Sequence, residues 1–162
     1  MDLRSDFRLG MRRLASGVSI VATADEEGPK GFLATSVSSV ALDPTPCLLV
    51  CVNKSTSSHD ALIRRQVFSV NVLAEQQVDI ARRFSSSELR DARFEDNGWS
   101  VLETGAPICQ GALAVFDCRL MTTMAVQTHT VLIGRAVAVR MADPAVEPLI
   151  YYDGCFDRNR AA

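Results

Sequence analysis

The chain has 162 residues, 48% of them hydrophobic and 22% charged, with a formal net charge of −2. That is enough for a single domain over residues 1–162 around one core, and the weakly acidic balance lacks the basic footprint of a nucleic-acid binder and disfavours anionic lipid. Residues 1–17 are interrupted by Arg4, Asp6, Arg8, Arg12 and Arg13. No window approaches the roughly 20 apolar residues of a membrane span, so a cytoplasmic location with no membrane and no nucleic-acid partner is expected.

Taken in chain order, residues 5–15 read as an amphipathic helix carrying Phe7, Met11 and Leu14, with Ser5 or Asp6 as its cap. Residues 18–24 are a strand. The Asp25-Glu26-Glu27-Gly28-Pro29 turn predicts a hairpin whose second strand is residues 31–40. Residues 46–52 form an unbroken apolar run, expected to be buried on both faces. Its Cys47 and Cys51 face the same way and read as small buried hydrophobes. With five cysteines, two histidines and no CxxC, neither a disulfide framework nor a zinc site is indicated.

The polar loop 53–59 leads to a short helix reaching Arg65, which Ser58 is placed to cap. Residues 67–73 are a strand and 74–84 a helix. Residues 85–98 are polar and irregular, anchored by Leu89 and Phe94. Residues 112–123 and 130–141 are the two longest strands, joined by a loop at 124–128, and 149–152 is a last short strand. Many short strands with few helices favour an antiparallel barrel over a doubly wound sheet. The fold class is therefore mainly β, with few helices.

The sequence carries no GxGxxG turn, no Walker-type phosphate loop and no GxSxG elbow. What it does carry is two hydroxyl-rich stretches flanking an apolar strand, Ala34-Thr35-Ser36-Val37-Ser38-Ser39 and Asn53-Lys54-Ser55-Thr56-Ser57-Ser58. Hydroxyls, backbone amides and a helix N-terminus together can hold a phosphate without a glycine loop, and Lys54 adds charge. The same residues also suit a half-buried strand and a helix cap. Arg82 and Arg83 sit where cations favour a helix C-terminus. Gly134, inside a strand, marks either a close approach by a ligand or tight packing.

The stretch Gly31-Phe32-Leu33-Ala34-Thr35-Ser36-Val37-Ser38-Ser39-Val40-Ala41-Leu42-Asp43-Pro44 resembles the first signature of the flavin reductase family, which includes the small components of two-component flavin monooxygenases. Phe68-Ser69-Val70-Asn71-Val72-Leu73, Gly105-Ala106-Pro107, His129-Thr130-Val131-Leu132-Ile133-Gly134 and Pro148-Leu149-Ile150-Tyr151-Tyr152 continue the resemblance in order. It implies a split β-barrel that forms a homodimer and uses NADH or NADPH to reduce FMN or FAD for a separate monooxygenase component.

Carried over by position, the resemblance places Thr35, Ser36, Val37, Ser38 and Ser39 along the flavin ring and ribityl chain, beside Cys51 and Val52. Asn53, Lys54, Ser55 and Ser58 fall at the ribityl–phosphate end, and Arg82, Arg83 and Phe84 at the phosphate or adenylate. His129 stands by the nicotinamide as the catalytic candidate, and Tyr152 reaches the ring. The family often has Gly-Asp before the histidine, where this chain has Gln127-Thr128. Three alternatives share the barrel: a reductase with tightly bound flavin serving a corrinoid or quinone, a non-catalytic flavin- or tetrapyrrole-binding protein, and a pyridoxamine-phosphate oxidase-like enzyme.

Overall fold

Residues 2–157 are described in a computed structural model of the chain. The elements in chain order are α1 (Leu3–Met11), β1 (Ser16–Gly17), β2 (Ser19–Asp25), β3 (Gly28–Ala34), β4 (Val37–Ala41), β5 (Cys47–Asn53), α2 (His59–Arg65), β6 (Val67–Val72), α3 (Val78–Ser85), β7 (Trp99–Val101), β8 (Pro107–Cys109), β9 (Ala114–Val126), β10 (His129–Met141), β11 (Ile150–Tyr152) and β12 (Cys155–Asp157). Single 3₁₀ turns lie at Glu75–Gln77 and Asp91–Phe94. Among the described residues no helix is long and apolar enough to cross a membrane.

Seven strands form one antiparallel sheet in the order β3-β2-β6-β9-β10-β5-β4. Its two edges, β3 and β4, are consecutive in the chain and joined only by Thr35-Ser36. So short a link can connect opposite edges only if the sheet curls until those edges nearly meet, which is a barrel left open along one seam. The mainly β class is therefore observed.

The expected single strand over 31–40 is corrected: it divides into β3, paired with β2, and β4, paired with β5 on the opposite edge. The loop expected at 124–128 shrinks to the tight turn Gln127-Thr128, with Gln127 at φ 50°, so β9 and β10 run on as one long hairpin. Helix α1 starts at Leu3, because the Asp2 side chain accepts from the Ser5 amide, and it stops at Met11. The helix expected over 74–84 begins instead with a 3₁₀ turn before α3. The short strands β7, β8 and β12 were not anticipated; Gly and Pro punctuation hides three-residue strands from any periodicity.

Strand burial separates two cores. Val21, Phe32, Leu48, Val50, Val52, Phe68, Val70 and Leu132 fill the barrel. Ile20, Ala22, Val78, Ala81, Phe84, Ile108, Val115 and Leu149 pack in a second layer outside it. Thus β2 is buried on both faces, whereas β5 alternates: Leu48, Val50 and Val52 point inward while Cys47, Leu49 and Cys51 stay half-buried. That corrects the expectation of a β5 buried on both faces: only the side chains facing the barrel interior are fully buried. Burial pushes the Cys109 thiol up to about 11 and the Cys118 thiol up to about 12. These two are inert packing residues, whereas Cys155 is exposed.

Buried polar groups in this double-layered region are satisfied. Asn71 donates to the Ile20 carbonyl and accepts from the Cys109 amide, tying β6 to β2 and β8. Asp117 accepts from the Thr104 amide and hydroxyl. Gly134 sits against Phe68: an added Cβ would lie 2.5 Å from the Phe68 ring and 3.3 Å from Cys118 Cβ. Of the two readings of this glycine, tight packing inside the barrel is the one the structure supports.

Candidate functional site

The open seam is where a cavity of about 530 Å³ lies. Its wall runs from the end of β3 through Thr35 and Ser36, across the last residues of β5 (Cys51 and Asn53) to His129 at the start of β10. The loop hydroxyls Ser55, Thr56 and Ser57 form one end. The other end is built by α3 and the strap that follows it, through Phe84, Ser85, Ser87, Arg90 and Arg93.

Local chemistry fixes each of these pieces. Asn53 Oδ1 accepts from the Ser55 amide at 3.0 Å and the Ser55 hydroxyl at 2.9 Å, an Asx turn that folds the loop back from the strand. Thr56 Oγ1 donates to the Asn53 carbonyl. Asn53 is the cross-strand partner of His129, so strand register alone places the imidazole beside this loop. His129 Nδ1 lies 2.9 Å from the Thr128 hydroxyl, and Nε2 has no protein partner among the described residues.

The strap is held from behind by aromatics. Phe84, Phe94 and Trp99 stack with centroid separations of 4.6–5.7 Å. Gly31 admits them, since a Cβ there would meet Phe84 and Phe94 at 3.1 and 3.2 Å. Arg83 donates to Asp96 at 2.7 Å, and Arg93 donates to the Gly31 and Ser86 carbonyls while its guanidinium lies 5.4 Å from the Phe84 ring centre.

The structure gathers seven of the expected residues at this cavity: Thr35, Ser36, Cys51, Asn53, Ser55, Phe84 and His129. It puts the others elsewhere. Val37, Ser38 and Ser39 line a separate, mainly apolar groove with Leu42 and Pro46. Val52 is wholly buried in the barrel. Lys54 donates its ammonium to the Gln127 carbonyl, joining the loop to the β9–β10 turn. Ser58 is buried at the start of α2 without making a capping hydrogen bond, and its hydroxyl has no partner.

Arg82 is exposed and pairs with Asp79 one turn back, and Arg83 is committed to the strap. Tyr152 lies on β11 in a small separate sheet with β1 and β12. The carry-over by position did not name Ser85, Ser87, Arg90 and Arg93; Phe32, Leu33 and Ala34 entered only as part of the first signature, and Thr56 and Ser57 only as part of the second hydroxyl stretch. The Ser85-Ser86-Ser87 run was a visible signal of the same kind as the two hydroxyl stretches, but its place beside them depends on the fold.

The lining offers hydroxyls, one carboxamide, one imidazole and two guanidiniums, and no carboxylate. No nucleophile–base pair is set up in it. It is equipped to bind and orient a polar, anionic ligand with an aromatic part, not to supply a proton-transfer dyad.

Comparison with known proteins agrees. The family model described as flavin reductase like domain matches residues 11–160. The chain is 40% identical over 147 residues to the FMN reductase (NADH) RutF of Bradyrhizobium diazoefficiens, covering 91% of this chain and 81% of that protein. Among solved structures, the Streptomyces globisporus NADH:FAD oxidoreductase SgcE6 superposes with a TM-score of 0.90 at 30% identity, covering 100% of this chain and 97% of that one. BorF, the flavin reductase component of a bacterial two-component tryptophan halogenase, superposes with a TM-score of 0.87 at 34% identity, covering 96% and 97%.

Proposed function

From the premise that the chain belongs to the flavin reductase family, we propose that the seam cavity is where it reduces flavin with NADH. The enzyme is an NAD(P)H-dependent flavin oxidoreductase. When both cofactors are bound, hydride passes from nicotinamide C4 to flavin N5, chemistry that belongs to the cofactors themselves. The carboxylate-free lining carries this reading, since stacked rings need orientation and a polar cradle more than an acid–base pair.

The division of labour follows the geometry. Thr35 and Ser36, exposed and free of protein hydrogen bonds, face the ring and its side chain, and Asn53 and Ser55 hold the hydroxylated tail. The free Nε2 of His129 orients the nicotinamide amide. Reduced flavin then passes to a separate monooxygenase component, as the two-component system of BorF supports. A homodimer is supported by the outer face of β10, where the alternating residues Val137, Val139 and Met141 are all exposed.

Anaerobic stopped-flow mixing of the flavin-stripped protein with NADH, FMN and FAD tests the function. Fast reduction followed by release of reduced flavin is expected. Reduction with retention would replace the diffusible-flavin role with a bound one, and no reduction with either nicotinamide would sink the assignment.

A further inference from the structure

The hydroxyl loop at one end of the seam cavity begins and ends on β10. Asn53 is the cross-strand partner of His129, and His59, the first residue of α2, brings its Nε2 to 3.0 Å from the Thr130 hydroxyl. The loop thus leaves the sheet opposite one residue of β10 and returns to the next. Its first end is also held by the Lys54 amide, which donates to the Thr128 carbonyl at 2.9 Å. Within the loop, the Thr56 amide donates to the Asn53 carbonyl and the His59 amide to the Thr56 carbonyl.

The returning end depends on one side chain. Ser58 makes no capping hydrogen bond at the start of α2. Among the described residues, the bond between His59 and Thr130 is the one that ties residues 57–60 to the sheet. It is sheltered from water, with Thr130 6% exposed and the His59 side chain 15%. Asp60 Oδ1 lies 2.8 Å from His59 Nδ1 on the other side of the ring. An ionised carboxylate can only accept, so Nδ1 carries a proton, and in the neutral ring Nε2 accepts from the Thr130 hydroxyl.

We propose that His59 is a positioning residue for hydride transfer: through Thr130 it holds the loop that carries Ser55, Thr56 and Ser57 in fixed register with His129. This rests on the flavin reading of the seam cavity. Neither His59 nor Thr130 lines that cavity, so the pair acts through the residues that do. The loop serves the flavin and His129 serves the nicotinamide, so their register decides how the two rings meet. A misplacement of about 1 Å between reacting groups can cost about 100-fold in rate.

The test is anaerobic single-turnover reduction of bound FMN by saturating NADH, on the full chain and on His59→Phe, His59→Asn and His59→Gln. The rate constant at saturation belongs to folded, loaded molecules, so a loss of stability alone lowers the amplitude and leaves the rate constant unmoved. His59→Phe keeps a ring and removes both nitrogens. His59→Asn replaces Nδ1 alone, and His59→Gln puts an amide where Nε2 was. The rate constant should fall about tenfold in His59→Phe and His59→Asn and stay within about twofold in His59→Gln. Thr130→Val should match His59→Phe, and the double variant should be no slower than either single one, because the two act as a unit. Should His59→Phe fail to fold, Thr130→Val carries the same prediction.

An unchanged rate constant in His59→Phe or Thr130→Val would overturn the positioning role. So would an equal loss in His59→Gln, or additive losses in the double variant. An unsubstituted chain that reduces no flavin would overturn the flavin reading, and this role with it.

Discussion

His129 shows how little a single residue needs when the sheet supplies its position. Strand register sets it against Asn53, Thr128 holds one ring nitrogen, and the other faces open space. His129→Ala should lower kcat/KM for NADH about tenfold, the value of one lost hydrogen bond, with FMN affinity unchanged. Steady-state kinetics paired with flavin titration check this, and unchanged NADH kinetics would remove the residue from the site. Its candidacy was legible from sequence through the resemblance and its place at a strand start. The misplacement of Arg82 and Arg83 has an equally local cause: adjacent side chains on a helix diverge by about 100°, so a basic dipeptide cannot by itself show which way each cation points. Asp79 and Asp96, which claim them, lie three and thirteen positions away.

At the scale of elements, β10 does the most. Between β9 and β5 it is buried on its inner side through Thr130, Leu132 and Gly134, and the Phe68 ring occupies the space a side chain at 134 would need. Gly134→Ala should therefore destabilise the fold by about 1–3 kcal/mol through overpacking, seen as a lower urea midpoint with little change in flavin affinity for the folded fraction. No shift in midpoint would mean that Phe68 can turn aside. Alternation and turn residues made β2, β6, β9 and β10 readable from sequence. The β3–β4 break was not, because Ala34–Ser39 is one uniform run of small and hydroxyl residues; only pairing with different partners divides it. Nor was the role of the strap, whose polar composition says loop while its three aromatics and two bracing arginines make it a wall.

At the scale of the molecule, the two faces of the sheet have different fates. The β2–β6 side is sealed by α3, β8 and β11, whereas the outer side of β10 carries Val137, Val139 and Met141 in the open, with Met141 67% exposed. A protein–protein contact is the ordinary use of such a patch. If the proposed dimer forms through this face, Val139→Asp should leave the chain monomeric, measured by light scattering after size exclusion; a monomeric starting protein would refute the assignment of that face. Architecture and reaction were both legible from the ordered set of signatures along the chain. The composition of the site was legible only in part, because its second half arrives from residues 84–93, far in sequence from the first.

The junction at Thr35-Ser36 also governs how the chain arrives at this shape. The β2–β3 and β9–β10 hairpins are local and need little chain closure. The β5–β10 pairing joins Cys47 to Arg135 and Asn53 to His129, and no ring exists until it forms. Non-local strand pairing of this kind places folding in the millisecond-to-second range. During that interval the unpaired edge of β5, Cys47-Leu48-Leu49-Val50-Cys51-Val52, is the most adhesive segment of the chain. Nascent chains should then be most vulnerable to aggregation after β5 has left the ribosome and before β10 has followed it.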